Sequence, residues 1–294
     1  TQGWLVTDNG TQDTAPTAEY VTATGGTITT SGNFKIHTFT GPGTLCVSNA
    51  GNPSGSTLVD YMVSGGAAGG GDSENGHQGG GGGAGGFRES SGAASGCYTA
   101  SPLGSGVSAL PVSIQGYPIT VGAGGAAGDG GQQRGAQGSN SIFSTITSAG
   151  GGQSGAGSNP GSNRNGQDGG SGGGSASSNQ PSFAGGLGNT PSVSPSQGFP
   201  GGAGCVSNGH GGSGGGATGA GDTSPGNTVL NPGGAGATTS INASAITYST
   251  GGANSASGIG GSGGNNTGDG GNGGKCAAGG TGGSGVVIIR YKFQ

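Results

Sequence analysis

Charge is nearly missing from this chain. Seven Lys and Arg and eleven Asp and Glu in 294 residues leave a formal net charge of −4. So few cations form no basic stripe, which speaks against a nucleic-acid partner. The scarcity also separates the chain from ordinary disordered segments, which are usually rich in charge. Apolar residues make up only 27% and aromatics 5%. A conventional hydrophobic core for this length is therefore not expected, and stability is expected to come largely from backbone hydrogen bonds and neighbouring chains. No apolar run approaches the length of a transmembrane helix, so the chain is not expected to be membrane-embedded.

Residues that carry chemistry are equally thin. The four cysteines, Cys46, Cys97, Cys205 and Cys276, are isolated. Without a CxxC pair the usual structural zinc spacing is lacking. They are candidates for disulfide or packing roles, and their spacing does not choose a pairing. Three histidines, His37, His77 and His210, are too few and too separated for a metal site. His37 is expected on the polar face of a strand, His77 and His210 in glycine loops as solvent-facing or loop-packing residues. Asp72, Glu74 and His77 make a small acidic group without a ligand motif. Asp129, Asp168, Asp222 and Asp269 sit among glycines and read as turn formers. GxGxxG patterns arise from composition, no helix follows them, and no GxSxG elbow is present. No catalytic residue, cofactor or metal is assigned, and an enzyme is not expected.

What is abundant is glycine, 83 of 294 residues, much of it with a period of three. Stepping by three from Gly258 to Gly285, every position is glycine except Thr267 and Cys276. Three is the period of an extended polyproline-II-type helix, rising about 3.1 Å per residue. It is the period of neither an α-helix nor a strand. With only 13 prolines and a phase that shifts along the chain, collagen is excluded. The pattern predicts a bundle of extended glycine rods joined by lateral N–H to C=O bonds. Cys276 stands where the period expects glycine, which makes it the sharpest packing candidate.

Strand signals punctuate the glycine. Thr27–Thr30, Phe34–Phe39, Thr44–Ser48 and Thr57–Val63 show apolar alternation or β-branched enrichment between turn signals. They predict a small antiparallel module over 1–63, with Trp4–Val6 as a further short strand or an anchoring plug. Residues 64–294 then read as a glycine-rich rod bundle with interspersed short strands. These are expected at Val112–Gln115, Tyr117–Val121, Ser141–Thr147 and around Ala245–Tyr248. The segment 286–293 closes the chain as its strongest strand. The predicted fold class is mainly β with a polyglycine-II bundle and essentially no α-helix.

The segments VDYMVSGGAAGGG, GGGGGAGGFRESSG, YPITVGAGGAAG, SIFSTITSAGGG and GGSGVVIIRYKFQ resemble the glycine-rich domain of bacteriophage tail-fibre and adhesin proteins, particularly marine phage versions. The likeness runs from about Thr22 to Gln294, and the order of landmarks agrees. It implies a structural virion protein on a tail or capsid fibre, a trimer of itself associated with other virion proteins. It further implies loops that meet a bacterial surface glycan or outer-membrane protein. The chain departs from long fibres in having no coiled-coil or β-helical shaft. Lone aromatics and a cation in or beside glycine loops, Phe87, Arg88, Tyr98, Phe183, Phe199 and Tyr248, are the candidate receptor or subunit contacts. The bland alternative is that they pin loops onto the bundle. A second function class is a filament or capsid-decoration subunit without a receptor role, joined by strand addition through Trp4–Val6 or Val286–Phe293. A third is an ice-binding protein, against which the irregular insertions between 153 and 200 speak.

Overall fold

The computed structural model describes residues 17–294 apart from 75, 97, 132, 158–161, 178–182, 206–208, 225–229 and 256–257. Trp4–Val6 and Cys97 thus lie outside the described residues. Among the described residues there is no α-helix, and the helical content is two single 3-10 turns, Pro102–Gly104 and Ser162–Arg164. The regular structure is otherwise β: β1 (Val21–Thr24), β2 (Thr27–Ser31), β3 (Phe34–Phe39), β4 (Gly43–Ala50), β5 (Leu58–Ser64), β6 (Phe87–Glu89), β7 (Leu110–Pro111), β8 (Gly116–Thr120), β9 (Ser141–Phe143), β10 (Ile146–Ser148), β11 (Ala237–Thr239), β12 (Ile246–Tyr248) and β13 (Val286–Lys292).

Two antiparallel sheets face one another. One has the order β1-β4-β8-β9-β10, and the other runs β2-β3-β13-β5-β6 with β7 paired to β5. The strands of the N-terminal stretch are divided between both sheets, and each sheet is completed by strands from later in the chain. Between the sheets lies a core of Val21, Leu45, Val47, Tyr117, Ile119 and Phe143 from one side and Phe39, Val59, Tyr61, Val63, Val287, Ile289 and Tyr291 from the other. A second core covers the opposite face of the β13 sheet, where Ile36, Met62, Phe87, Val286 and Ile288 pack against Ala237, Ile241 and Tyr248 of the β11–β12 hairpin region.

The C-terminal strand is the hub of this arrangement. β13 pairs with β3 on one side and β5 on the other. Alternate side chains serve opposite cores: Val287, Ile289 and Tyr291 enter the first, Val286 and Ile288 the second. That is why the strand opens on the unbroken apolar run VVII: a strand buried on both faces has no solvent side. Each fully buried Ile or Val contributes about 1.5–3 kcal/mol.

Three local readings change. Val112–Gln115 is not a strand: the Ser113 N–H donates to the Tyr117 hydroxyl at 2.9 Å instead of to a ladder, and pairing stops at Pro111. Ser141–Thr147 is not one strand but a hairpin, with Phe143 opposite Ile146 and Ser144 at φ 54°. β1, β6 and β11 carry no alternation long enough to be seen in sequence.

The glycine-rich segments leave the strands and return to them. They run out from β5, β8, β10 and β12 and come back into β6, β9, β11 and β13. Their backbone bonding repeats every third residue. Along 65–73, the N–H groups of Gly65, Ala68 and Gly71 donate to Gly86, Gly83 and Gly80. Those of Gly66, Gly69 and Asp72 donate to Ser139, Ala136 and Gln133, and those of Ala67, Gly70 and Ser73 to Gly283, Gly280 and Ala277. The carbonyls face other segments: Ala67 and Gly70 accept from Gly125 and Gly128, and Ala68 and Gly71 from Gly271 and Gly274. One segment is thus hydrogen-bonded on all sides, and none of the bonds lies within it.

At its crowded glycine positions such packing leaves no room for a side chain. A Cβ on Gly70 would stand 1.9 Å from the Asn272 carbonyl oxygen, far inside van der Waals contact. The period-three run from Gly258 is in fact three short segments. A turn at 265–268 and a bend at 276–277 reverse the chain, and the two non-glycine positions, Thr267 and Cys276, fall there. Cys276 is exposed with φ 53°, so it occupies a reversal and not a crowded interior position.

Candidate functional site

Polar chemistry gathers in three places. The first is a buried network beneath β13. Asp60 on β5 lies opposite Arg290 on β13. Its Oδ1 accepts from the Ser90 hydroxyl at 2.8 Å, and its Oδ2 from the Ser95 N–H and hydroxyl, both at 2.6 Å. Glu89 on β6 accepts from the Ser101 N–H at 2.8 Å and the Thr239 hydroxyl at 2.5 Å. Burial pushes the Glu89 carboxyl above its usual range, and these hydrogen bonds only partly offset it. The Arg290 guanidinium donates to the Ile241 carbonyl at 3.2 Å and stacks over Phe34 at 4.6 Å and Tyr98 at 5.3 Å. Burial, then the charges of Asp60 and Glu89, push the Tyr98 phenol up. Every one of these groups is spent on locking β5, β6, β13 and the 89–101 loop together.

The second place is His37, whose ring is wholly buried and not on a polar face. That face of β3 looks into the core between the sheets, where the Tyr291 ring of the neighbouring β13 stacks on the imidazole. Burial holds the His37 imidazole below its ordinary range.

The third is the end of the glycine body remote from the sheets. Since the segments leave and re-enter at the sheets, their outer connections fall together. They carry Asp72, Glu74 and His77 on one connection, Asp129 and Arg134 on another, and Arg164, Cys205, His210 and Lys275 elsewhere. Gln78 organises this end. Its Oε1 accepts from His210 Nδ1 at 2.7 Å and the Gly211 N–H at 3.0 Å, and its Nε2 donates to the Ser255 carbonyl. Among the described residues no three His, Cys, Asp or Glu side chains converge as a metal site would require.

The predicted contact residues have different fates. Phe87 and Tyr248 are buried in the second core, where their rings fill space behind β13, so neither meets a partner from the surface. Burial, then the Glu89 charge, raises the Tyr248 phenol to about 12. Tyr98 packs on that core and under Arg290. Arg88 is half-buried on β6. Phe183 is half-buried beneath the Arg164 guanidinium, 5.5 Å from its ring centre. Phe199 is 37% exposed and sits beside Leu187, 63% exposed, on adjacent segments. Cys46 and Cys276 are exposed and Cys205 half-buried, all three as free thiols.

A further feature of the body carries a signal in the sequence. Along the flanks of the glycine body, side-chain oxygens at three-residue spacing replace a missing neighbour. Asn165 and Asp168 accept from the N–H groups of Ala184 and Leu187 at 3.0 and 2.7 Å. Asp269 and Asn272 accept from Thr250 and Ala253 at 2.8 and 2.9 Å. Asp168 and Asp269 are therefore stitches between segments more than turn formers.

The arrangement defines a class: a mainly β protein whose sheets anchor a glycine-rich body held by interchain-like backbone bonds. The profile of a family described as a glycine-rich domain covers residues 40–292, and the chain belongs to that family. No curated protein matches the sequence significantly. Among the described residues no helix is long and apolar enough to cross a membrane.

Proposed function

We propose that this chain is a structural virion protein, a tail fibre or adhesin, whose glycine segments form a polyglycine-II bundle. The observation that carries the reading is the three-residue rotation of backbone bonds along 65–73 and its neighbours. An extended three-fold helix turns successive N–H groups toward successive neighbours in this way. A body built so needs little apolar content and stands up to exposure outside a cell. The sheets form one end, where the chain joins other virion proteins as a trimer of itself. The outer connections and the Leu187–Phe199 flank form the surfaces offered to a bacterial glycan or outer-membrane protein. No catalytic step is assigned to the chain.

Electron microscopy of native particles, labelled with an antibody against this chain, tests the reading. Label on tail or capsid fibres is the expected result. Regular polymers free of virions would overturn it.

A second reading has one observation in its favour. β2 ends the six-stranded sheet, and Thr27–Thr30 are all exposed. An uncovered edge is a template for another strand, as a filament or capsid-decoration subunit requires. β13 cannot serve that role, because both its edges are already paired.

A further inference from the structure

Arg164 and His77 are out of place in a body that satisfies nearly every polar group. Arg164 ends the 3-10 turn Ser162–Arg164 and is only 2% exposed. Its Nε and Nη1 have no hydrogen-bond partner, and neither does Nδ1 of His77, which is 6% exposed. A buried guanidinium with two of its nitrogens unpartnered is costly, and such groups are normally paired.

The backbone places the two residues together. The Ala176 N–H donates to the Arg164 carbonyl, and the Ser177 N–H donates to the Gln78 carbonyl, next to His77. Residues 156 and 157 bridge the same region, with the Ala156 N–H on the Asn163 carbonyl and the Glu74 N–H on the Gly157 carbonyl. The charge of Arg164 reaches the His77 imidazole and, after burial, helps hold it below its ordinary range. Burial likewise holds the Arg164 guanidinium below its ordinary range. The Phe183 ring lies against one face of the guanidinium, 5.5 Å from its centre, and so takes up none of its N–H donors as a hydrogen-bond acceptor would.

We propose that Arg164 and His77 form a binding site for a single oxyanion group (carboxylate, sulfate or phosphate) at the outer end of the glycine body. Oxygen acceptors satisfy Nε and Nη1 of Arg164, and a further oxygen takes a proton donated by His77 Nδ1. Guanidinium suits this role because it stays charged and offers donors in fixed directions. The site needs no metal and no covalent step. It is independent of whether the chain serves as an adhesin or as a filament subunit.

The test follows the His77 ring by NMR while sodium sulfate, sodium phosphate or sodium acetate is added at constant ionic strength against sodium chloride. The expected result is a saturable shift of the His77 signals and a rise in its pKa, since a bound anion favours imidazolium. The anion that saturates at the lowest concentration identifies the group. In the Arg164→Met variant, which keeps a long side chain over Phe183, binding should weaken by about tenfold or more, as loss of a charge-assisted pair predicts. Should that variant fail to fold, the wild-type titration still decides. No anion-specific change at His77, or a response matched by chloride, overturns the proposal.

Discussion

The Tyr291 hydroxyl lies 2.9 Å from His37 Nε2, and the two rings stack with centres 5.4 Å apart, across 254 residues of sequence. His37 Nδ1 stands 2.7 Å from the Gly25 carbonyl, which can only accept, so Nδ1 carries the proton and Nε2 accepts from tyrosine. The same tyrosine oxygen accepts from the Ala23 N–H at 3.1 Å. One histidine thereby ties β1, β3, β13 and the turn at Gly25 into a single unit.

This geometry predicts a pH dependence. The folded state holds His37 neutral below its unfolded value of about 6.5, chiefly by burial, with Lys35 adding to the effect. A depressed folded pKa means that the stabilisation is intact above the unfolded pKa. It is lost as the pH falls through that value toward the folded one, because the unfolded chain takes up the proton first. The thermal midpoint should fall between pH 7.5 and 5, and His37→Gln should flatten that fall. An equal fall in the variant would show that His37 is not the group responsible.

Glycine packing predicts a contrast between two equally small changes. Gly70→Ala drives a methyl into the Asn272 carbonyl, whereas Gly41→Ala meets nothing within 4 Å. The first should cost about 3 kcal/mol or more and the second about 0.5 kcal/mol or less. Urea unfolding of both variants measures this, and similar midpoints would contradict the tight approach of the segments.

Arg290 supports the polar network from the hub strand. Arg290→Met removes the bond to the Ile241 carbonyl and both ring contacts, while Asp60 and Glu89 stay buried. A loss of about 2–4 kcal/mol is expected. Arg290→Lys keeps the charge but not the flat stack and should fall between. Chemical denaturation of the two variants reads out the order.

The thiols offer a check without mutation. Cys46 and Cys276 are exposed and free, so both should react with a thiol reagent in the native protein, with Cys205 slower. Mass spectrometry of the labelled chain assigns the sites. Protection of Cys276 would mean that it is bonded or covered.

Much of the fold is legible along the chain. The period of three, the strands that launch each glycine segment and the missing helix pattern are local properties, and local properties are written in consecutive residues. Even the reversals are marked, since Thr267 and Cys276 break the period where the chain turns. The candidate contacts were less legible. Phe87 looks like a loop aromatic because its edge strand is too short to show alternation, and the short strand expected around Tyr248 does not tell which of its faces is buried.

Sequence alone therefore settled the coarse character of the chain: glycine-rich and mainly β, with essentially no helix among the described residues. Only the tertiary structure decided which segment lies beside which. Glycine has no side chain to name its neighbour, and one backbone N–H is chemically like the next. The choice is made by the sheets from which the segments start and by the few groups too buried to be exchanged, His37, Tyr291, Asp60 and Arg290 among them.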